Sequence, residues 1–379
     1  MRGSAVIIGA GIAGLASARG LLAAGWDVHV LERSPGLPGT GTALGLWPAA
    51  LDALDRLDAG APVRAASVAQ HGARFLRPDG TEIARLDLER TVRMLPRTVL
   101  LAALAQDLPA DAVAWNTPVD DHRALPAADL VVAAEGIHSP TRAALFGAAP
   151  RPLGTVALRG TVPGASDGTT ETWGPGRLFG ITPQDPEHTY WFASVRADLL
   201  STDALGADVP GPAASGTGAP ELLRRLYGDW HPAVRHVLEL LEDTAVDRRT
   251  LLDVPRLPSY VQGRTVLLGD AAHGMAPNLG RGAGEALIDA TVLVGALAEA
   301  ADVPGALRRY DAVRRRPTTR TVRLARLANR VSTARHGTAV RNAALAAVAT
   351  AAGAGRAVRT RGGSRTGQSP ASGPPPGPR

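Results

Sequence analysis

The 379-residue chain contains no cysteine and no lysine, and only 4% of it is aromatic. Without cysteine there is no disulfide framework and no thiolate to act as nucleophile or metal ligand. Without lysine there is no Schiff base, no P-loop cation and no lysine-dependent catalysis. The histidines lack a recognisable ligand spacing, so no metal site is expected. Apart from one stretch near the N-terminus, no apolar run approaches a membrane span, and no membrane association is expected. The formal charge of +6 is carried by arginine alone. Together with the abundant alanine, that bias is read as the mark of a GC-rich genome, and no nucleic-acid partner is expected. A hydrophobic content of 45% over this length supports a large core in two closely joined domains.

What is present begins with Gly9-Ala10-Gly11-Ile12-Ala13-Gly14, directly after the apolar Val6-Ile7-Ile8. A buried strand that turns through these glycines into a helix from about Ile12 to Ala24 brings backbone amides and a positive helix end to a pyrophosphate. Trp26 to Leu31 reads as the second strand. Glu32 ends it, where a carboxylate accepts hydrogen bonds from a ribose, and Arg33 is a neighbouring candidate. The unit specifies a dinucleotide without separating FAD from NAD. Arg2, the apolar run and Ala16-Ser17-Ala18 imitate a secretion signal, but glycines spaced for phosphate argue against it, and a cytoplasmic protein is expected.

Further along, helices are expected from Trp47 to Leu57 and from Arg97 to Ala105, a hairpin turn at Phe75 to Thr81, and a buried strand from Asp129 to Ala134. Residues 153–196 carry short alternating runs between Gly-Pro turns and read as an antiparallel sheet. Ser201 to Pro220 reads as a mobile loop, and Glu221 to Leu241 as helix broken at His231-Pro232. A strand from Thr265 to Leu268, a long helix from Ala283 to Ala300 and two helices from Pro304 to Ala352 follow. The fold class expected is α/β. A Rossmann-like nucleotide domain comes from residues 1–69, 87–152 and 248–300, and an inserted antiparallel sheet domain from 70–86 and 153–247. C-terminal helices span 301–352, and a disordered tail is expected over 353–379. Arg308, Arg309, Arg314, Arg315, Arg316, Arg320, Arg323 and Arg326 read as a solvated face, with steering of an anionic cofactor as the alternative.

Two further segments carry chemistry. One is Gly269-Asp270-Ala271-Ala272-His273, followed by Pro277, Gly280 and Gly282. The other is Glu135-Gly136-Ile137-His138-Ser139-Pro140-Thr141-Arg142. With the N-terminal glycines, they resemble the FAD-dependent (class A) flavoprotein monooxygenase family of the para-hydroxybenzoate hydroxylase fold, from Ser4 to about Ala352. The resemblance implies bound FAD, with Gly9, Gly11, Ile12, Ala13, Gly14, Glu32 and Arg33 around its dinucleotide end and Arg97 on the flavin chain. Asp270 stands at the C-terminal edge of a strand, where it can hold a ribityl hydroxyl. Gly280, Gly282 and Ala283 open a helix aimed at the flavin pyrimidine, where fixed donors stabilise negative charge. Most relatives have glutamine where Arg281 stands, and a cation there reinforces the dipole. Pro277 matches a proline beside the reactive flavin edge, so Pro277 and Arg281 are the candidate catalytic residues. Glu135 replaces the family's aspartate. His138 and Arg142 are candidate NAD(P)H contacts, with a structural role as the alternative, while His273 is read as packing within its turn.

The reaction implied is reduction of FAD by NAD(P)H, formation of a C4a-hydroperoxide with molecular oxygen, and oxygen transfer to a nucleophilic carbon. Hydroxylation of an aromatic or polyketide-like small molecule is expected, with epoxidation of an activated alkene as the near alternative. A flavin-dependent halogenase requires a lysine that the chain lacks. A non-catalytic FAD or ligand-binding protein is a third reading, motivated by Glu135 and Arg281. The substrate pocket is expected between the inserted sheet and the flavin, lined by Trp47, Trp173, Phe179, Tyr190 and Phe192, with His71 and His188 as candidate bases. A monomer or homodimer is expected.

Overall fold

The computed structural model describes residues 3–200, 218–241 and 246–363. The expected loop at Ser201 to Pro220 therefore falls mostly outside the described residues. In chain order the strands are β1 (Ser4–Ile8), β2 (Asp27–Leu31), β3 (Ala43–Leu46), β4 (Val68–Leu76), β5 (Glu82–Pro96), β6 (Val113–Ala114), β7 (Leu130–Ala133), β8 (Arg151–Pro163), β9 (Thr169–Gly174), β10 (Arg177–Pro183), β11 (His188–Arg196), β12 (Asp247–Asp253), β13 (Val261–Gln262) and β14 (Thr265–Leu267). The helices are α1 (Ile12–Ala23), α2 (Pro48–Arg56), α3 (Gly60–Ala65), α4 (Arg97–Ala105), α5 (Pro140–Phe146), α6 (Ala219–Tyr227), α7 (Pro232–Glu239), α8 (Asp270–His273), α9 (Gly282–Glu299), α10 (Val303–Ser332) and α11 (Thr338–Gly363).

Six strands form the nucleotide-type sheet in the order β13-β14-β7-β1-β2-β6. Its pairings are parallel except for β13 with β14. Helices shield such a sheet on its faces, which is why β7 is apolar and buried at every position. Helices α1 and α9 pack on each other so closely that a Cβ on Gly20 would lie 2.8 Å from Val294. The first and last parts of this unit thus share one core, with Ile7, Leu15, Leu130, Leu267 and Leu293 among its fully buried members.

The second sheet has eight strands in the order β12-β8-β11-β10-β9-β4-β5-β3. It is antiparallel as expected, except that β4 and β9 run parallel. It also draws in β3 and all of β5, so residues 43–46 and 87–96, expected in the nucleotide unit, hydrogen-bond into this sheet. Arginines and acids crowd the second half of β5, which hides its strand pattern from a reading of apolar alternation.

One face of this sheet is covered by α6 and α7, where Leu158, Trp191, Tyr227 and Trp230 form a separate core. Phe179 belongs to that core. It stacks on Trp191 at 5.7 Å and meets Tyr227 edge-on at 5.3 Å, so the expectation that it lines the pocket is corrected: period-two alternation turns it to the helix-covered face.

Helix α11 continues to Gly363, past Ala352. Its alanine-rich composition sustains the helix and corrects the expectation of disorder over residues 353–363; the remaining tail lies outside the described residues. Among the described residues, no helix is long and apolar enough to cross a membrane.

Candidate functional site

The N-terminal glycines divide into two kinds. Gly9 has φ +101°, and a Cβ there would lie 2.7 Å from the carbonyl oxygen of Ala134, while a Cβ on Gly14 would collide with the carbonyl oxygen of Gly9. Those two glycines serve the close passage of backbone past backbone. Gly11 is different: its φ is an ordinary −76°, and a Cβ there would meet nothing within 4 Å. Open space therefore stands over the N-terminus of α1, where Ile12 and Ala13 begin the helix in buried positions. At the end of β2, the Glu32 carboxylate accepts hydrogen bonds from the amides of Ala10 at 2.6 Å and Ser34 at 2.8 Å, which fixes it beside the glycine turn. Arg33 is exposed next to it.

Gly269 brings the other end of the chain to this turn. Its φ is +57°, and a Cβ there would lie 3.0 Å from the Cβ of Ala13 and 3.4 Å from that of Ala286. Asp270 follows as the first residue of α8 and is exposed. Its Oδ1 is 3.9 Å from where a Cβ on Gly282 would stand, so this carboxylate faces the start of α9, which Gly282 and Ala283 open. Pro277 is exposed at the head of a short turn, and Gly280, at φ +59°, closes that turn beside the indole nitrogen of Trp47.

Arg97, at the start of α4, is enclosed by protein yet solvent-accessible, as a side chain lining a cleft is. Burial lowers its basicity, opposed by the nearby Asp270 carboxylate and reinforced by the guanidinium groups of Arg159 and Arg249. It thus stands between the third glycine segment and the eight-stranded sheet. These features fit a flavin dinucleotide: room over Gly11 for a pyrophosphate, Glu32 for a ribose, and Asp270 with Arg97 beside a second helix start.

In the middle segment, Glu135 accepts hydrogen bonds from the Ser139 hydroxyl and, at 2.8 Å, from that of Thr141. Ser139 in turn caps α5 by accepting from the amide of Arg142 at 3.0 Å. Glu135 is therefore engaged in its own turn. The Arg142 side chain is buried and donates to the carbonyl oxygens of Ala148 at 2.9 Å, Ile137 at 2.6 Å and Ala271 at 3.2 Å. Of the two alternatives weighed for Arg142, these contacts support the structural one, a clamp between the second and third segments. His138 alone of that pair is exposed.

Sequence reading missed a buried charge network beneath the α9 N-terminus. Arg281 donates to Glu285 at 2.8 Å, Glu285 accepts from Arg314 at 2.6 Å, and Arg314 donates to Asp289 at 2.6 Å. Asp289 also contacts His273 at 2.6 Å and accepts from the amide of Gly269 at 2.8 Å. Burial opposes the charge on Asp289, but His273 and Arg314 outweigh it and hold the carboxyl at about 2. Burial likewise opposes protonation of His273, yet Asp289 leaves it raised. Arg281 is thus already paired rather than a lone cation at the helix start, a correction to the expected electrostatics. Arg314 was hidden among arginines read as a solvated face. The available signal was Glu285 and Asp289, four residues apart on an otherwise apolar helix.

The other face of the eight-stranded sheet looks toward Arg97 at its β8 and β12 end, and α11 covers it at the β4 and β5 end, where Leu345 and Ala349 pack with Ala84 and Trp173. Its register aligns Asp247, Arg159, Phe192, Gly180, Glu171 and Phe75 in one row across six strands. A Cβ on Gly180 would fall within the Phe192 ring, so that ring lies flat over the glycine. Asp247 bridges Arg159 at 2.8 Å and Arg249 at 2.9 Å. Tyr190 shares this face; burial raises its hydroxyl pKa, and Arg159 and Thr42 oppose that rise through hydrogen bonds. The Trp173 indole donates to Glu171 at 2.8 Å. His71 is exposed on β4, and His188 pairs with Asp185 in its own turn at 2.9 Å, so neither is brought to this row.

Residues 4–149 match the family described as FAD dependent oxidoreductase, and residues 233–325 the family described as FAD binding domain. The chain is 33% identical over 335 residues to the aurachin C monooxygenase/isomerase of Stigmatella aurantiaca, covering 82% of this chain and 84% of that protein. It is 32% identical over 350 residues to the 3-amino-4-hydroxybenzoate 2-monooxygenase of Streptomyces cremeus, covering 84% and 85%. Among solved structures, Klebsiella pneumoniae HpxO complexed with FAD and uric acid is similar with a TM-score of 0.77 and 24% identity over 89% of this chain and 90% of that one, which supports the fold.

Proposed function

The chain belongs to the FAD-dependent class A flavoprotein monooxygenases, and from that membership we propose that it hydroxylates a planar aromatic small molecule using NAD(P)H and molecular oxygen. The observation that carries this reading is the sheet face opposite Asp270 and Arg97, where the half-buried Phe192 lies beside Tyr190 among a few polar groups, whereas Trp173, expected to line the pocket, is buried beneath α11. Such a surface is suited to bind a flat ring and exclude water. The names of two relatives, a 3-amino-4-hydroxybenzoate 2-monooxygenase and a 2-heptyl-3-hydroxy-4(1H)-quinolone synthase, point the same way.

When bound, FAD supplies the redox chemistry that activates oxygen. The protein's share is placement. Amides at the start of α1 would hold the pyrophosphate in the space at Gly11, with Gly9, Ile12, Ala13 and Gly14 shaping the turn. Glu32 takes a ribose hydroxyl, with Arg33 at the rim. Asp270 and Arg97 would hold the ribityl chain, and Gly280, Gly282 and Ala283 would leave the α9 amides free for the pyrimidine. Pro277 stiffens the adjacent wall. Arg281, through Glu285, fixes the helix start rather than adding net charge. Glu135 and Arg142 brace the intervening turn, and exposed His138 offers a contact for NAD(P)H.

The reading is tested with FAD-loaded protein, NADPH or NADH and a panel of hydroxylated aromatic compounds. Nicotinamide oxidation accelerated by one of them, with oxygenated product exceeding free peroxide, is the expected result. Bound FAD that neither nicotinamide reduces in the presence of any such compound overturns it.

A further inference from the structure

The row across the eight-stranded sheet is asymmetric. At one end Arg159 and Arg249 both bridge the carboxylate of Asp247, which makes this the arginine-rich end of the row. At the other end, Glu171 sits between β10 and β4 with Phe75 and Gly180 as its cross-strand neighbours. Its Oε2 accepts from Trp173 at 2.8 Å, and no hydrogen bond to Oε1 is made among the described residues. Glu171 is enclosed by protein yet partly accessible, and Oε1 is not among the buried unpartnered atoms, so this oxygen keeps contact with solvent. Between the two ends lies the flat ring of Phe192. Arg159 and Glu171 are three strand spacings apart, about 14 Å between backbones, a span that a one- or two-ring molecule reaching both side chains would match.

We propose that Glu171 is a specificity-determining residue of this site: it accepts a hydrogen bond from an O–H or N–H on one edge of a planar aromatic substrate whose anionic or acceptor edge faces Arg159. This rests on the aromatic-hydroxylase reading above and narrows its substrate class. The ring lies over Phe192, and each edge meets a group of opposite hydrogen-bonding character. An unpaired carboxylate oxygen in aromatic surroundings is costly unless a donor reaches it, so ligands that carry the donor gain and those that cap it lose. Burial raises the Glu171 carboxyl pKa, and the hydrogen bond from Trp173 opposes that rise. Arg341 of α11 makes no ion pair with it among the described residues; its guanidinium donates to the carbonyl oxygens of Trp173, Gly174 and Ser332.

The test uses FAD-loaded protein and two matched probes, 6-hydroxy-2-naphthoate and its 6-methoxy counterpart, titrated by the change in flavin absorbance. The native protein is expected to bind the hydroxy probe about tenfold more tightly or better, the size of one hydrogen bond to a charged group. In Glu171→Gln, which can still accept from Trp173, that preference falls to about twofold or less, with FAD content and melting temperature unchanged. Arg159→Gln weakens both probes equally. Retention of the full preference in Glu171→Gln overturns the assignment, as does a native protein that binds FAD, is reduced by NADPH and yet shows no preference or no binding of either probe. Those outcomes leave the flavoenzyme reading standing. Failure to bind FAD or to be reduced contradicts that reading instead.

Discussion

A Cβ added to Gly269 would stand 3.0 Å from the Cβ of Ala13, so the third glycine segment and the first are in contact although they come from opposite parts of the chain. Neither segment forms a flavin site alone. The contact places Asp270 and the α9 start beside the turn that ends in α1, and it leaves room for no larger side chain at residue 269.

The glycines of the first turn should separate by experiment. Gly14→Ala pushes a methyl into the Gly9 carbonyl oxygen and is expected to cost about 1–3 kcal/mol of stability or more, together with FAD. Gly11→Ala places its methyl in open space and should leave the melting temperature of the FAD-free protein nearly unchanged, while FAD affinity falls at least about tenfold. Equal effects of the two changes on folding would refute the assignment of the space over Gly11 to a ligand.

Arg97 and Arg142 should behave oppositely. Arg142→Leu leaves the carbonyl oxygens of Ala148, Ile137 and Ala271 without their donors in a buried place and is expected to lower stability by about 1–3 kcal/mol. Arg97→Leu breaks no hydrogen bond of its guanidinium among the described residues, so FAD affinity should fall with little change in denaturant midpoint.

Removal of Arg314 exposes the energetics of the buried network. Arg314→Ala strands Glu285 and Asp289, and urea unfolding should show a loss of about 3–5 kcal/mol. Arg281→Ala should cost about 1 kcal/mol or less, because Arg281 is 41% exposed and Glu285 keeps Arg314.

The same network sets a pH dependence. Asp289, held at about 2, contributes stability above its ordinary unfolded value of about 3.9 and loses it as pH falls through the folded value. His273, raised in the fold, has the opposite sign: its contribution is full below about 6.5 and fades as pH rises through the folded value. Melting temperature should therefore drop steeply below about pH 4 and more gently on the alkaline side. Asp289→Asn should flatten both slopes, and an unchanged profile would show that other groups control them.

Much of this architecture was legible in residue order. Glycine and apolar patterns near residues 9 and 269 located both halves of the nucleotide unit, because a tight turn between a buried strand and a helix admits few residue types. The break at His231-Pro232 appeared where proline demands it, between α6 and α7. What stayed hidden depends on long-range pairing. Arg314 looks like its solvated neighbours until Glu285 and Asp289 are set against it, and Phe179 shows its face only once strand register is known. Glu171 gave no local signal at all; its place in the row comes from six strands meeting.

The most direct measurement is the flavin content of the purified or FAD-reconstituted protein, native and Asp270→Ala side by side. Convergence of the two glycine segments on one cofactor predicts a yellow native protein with FAD in equal proportion to chain, and a variant that folds but loses most of it. A colourless native protein that refuses FAD, or a variant that holds it with undiminished affinity, would contradict the account.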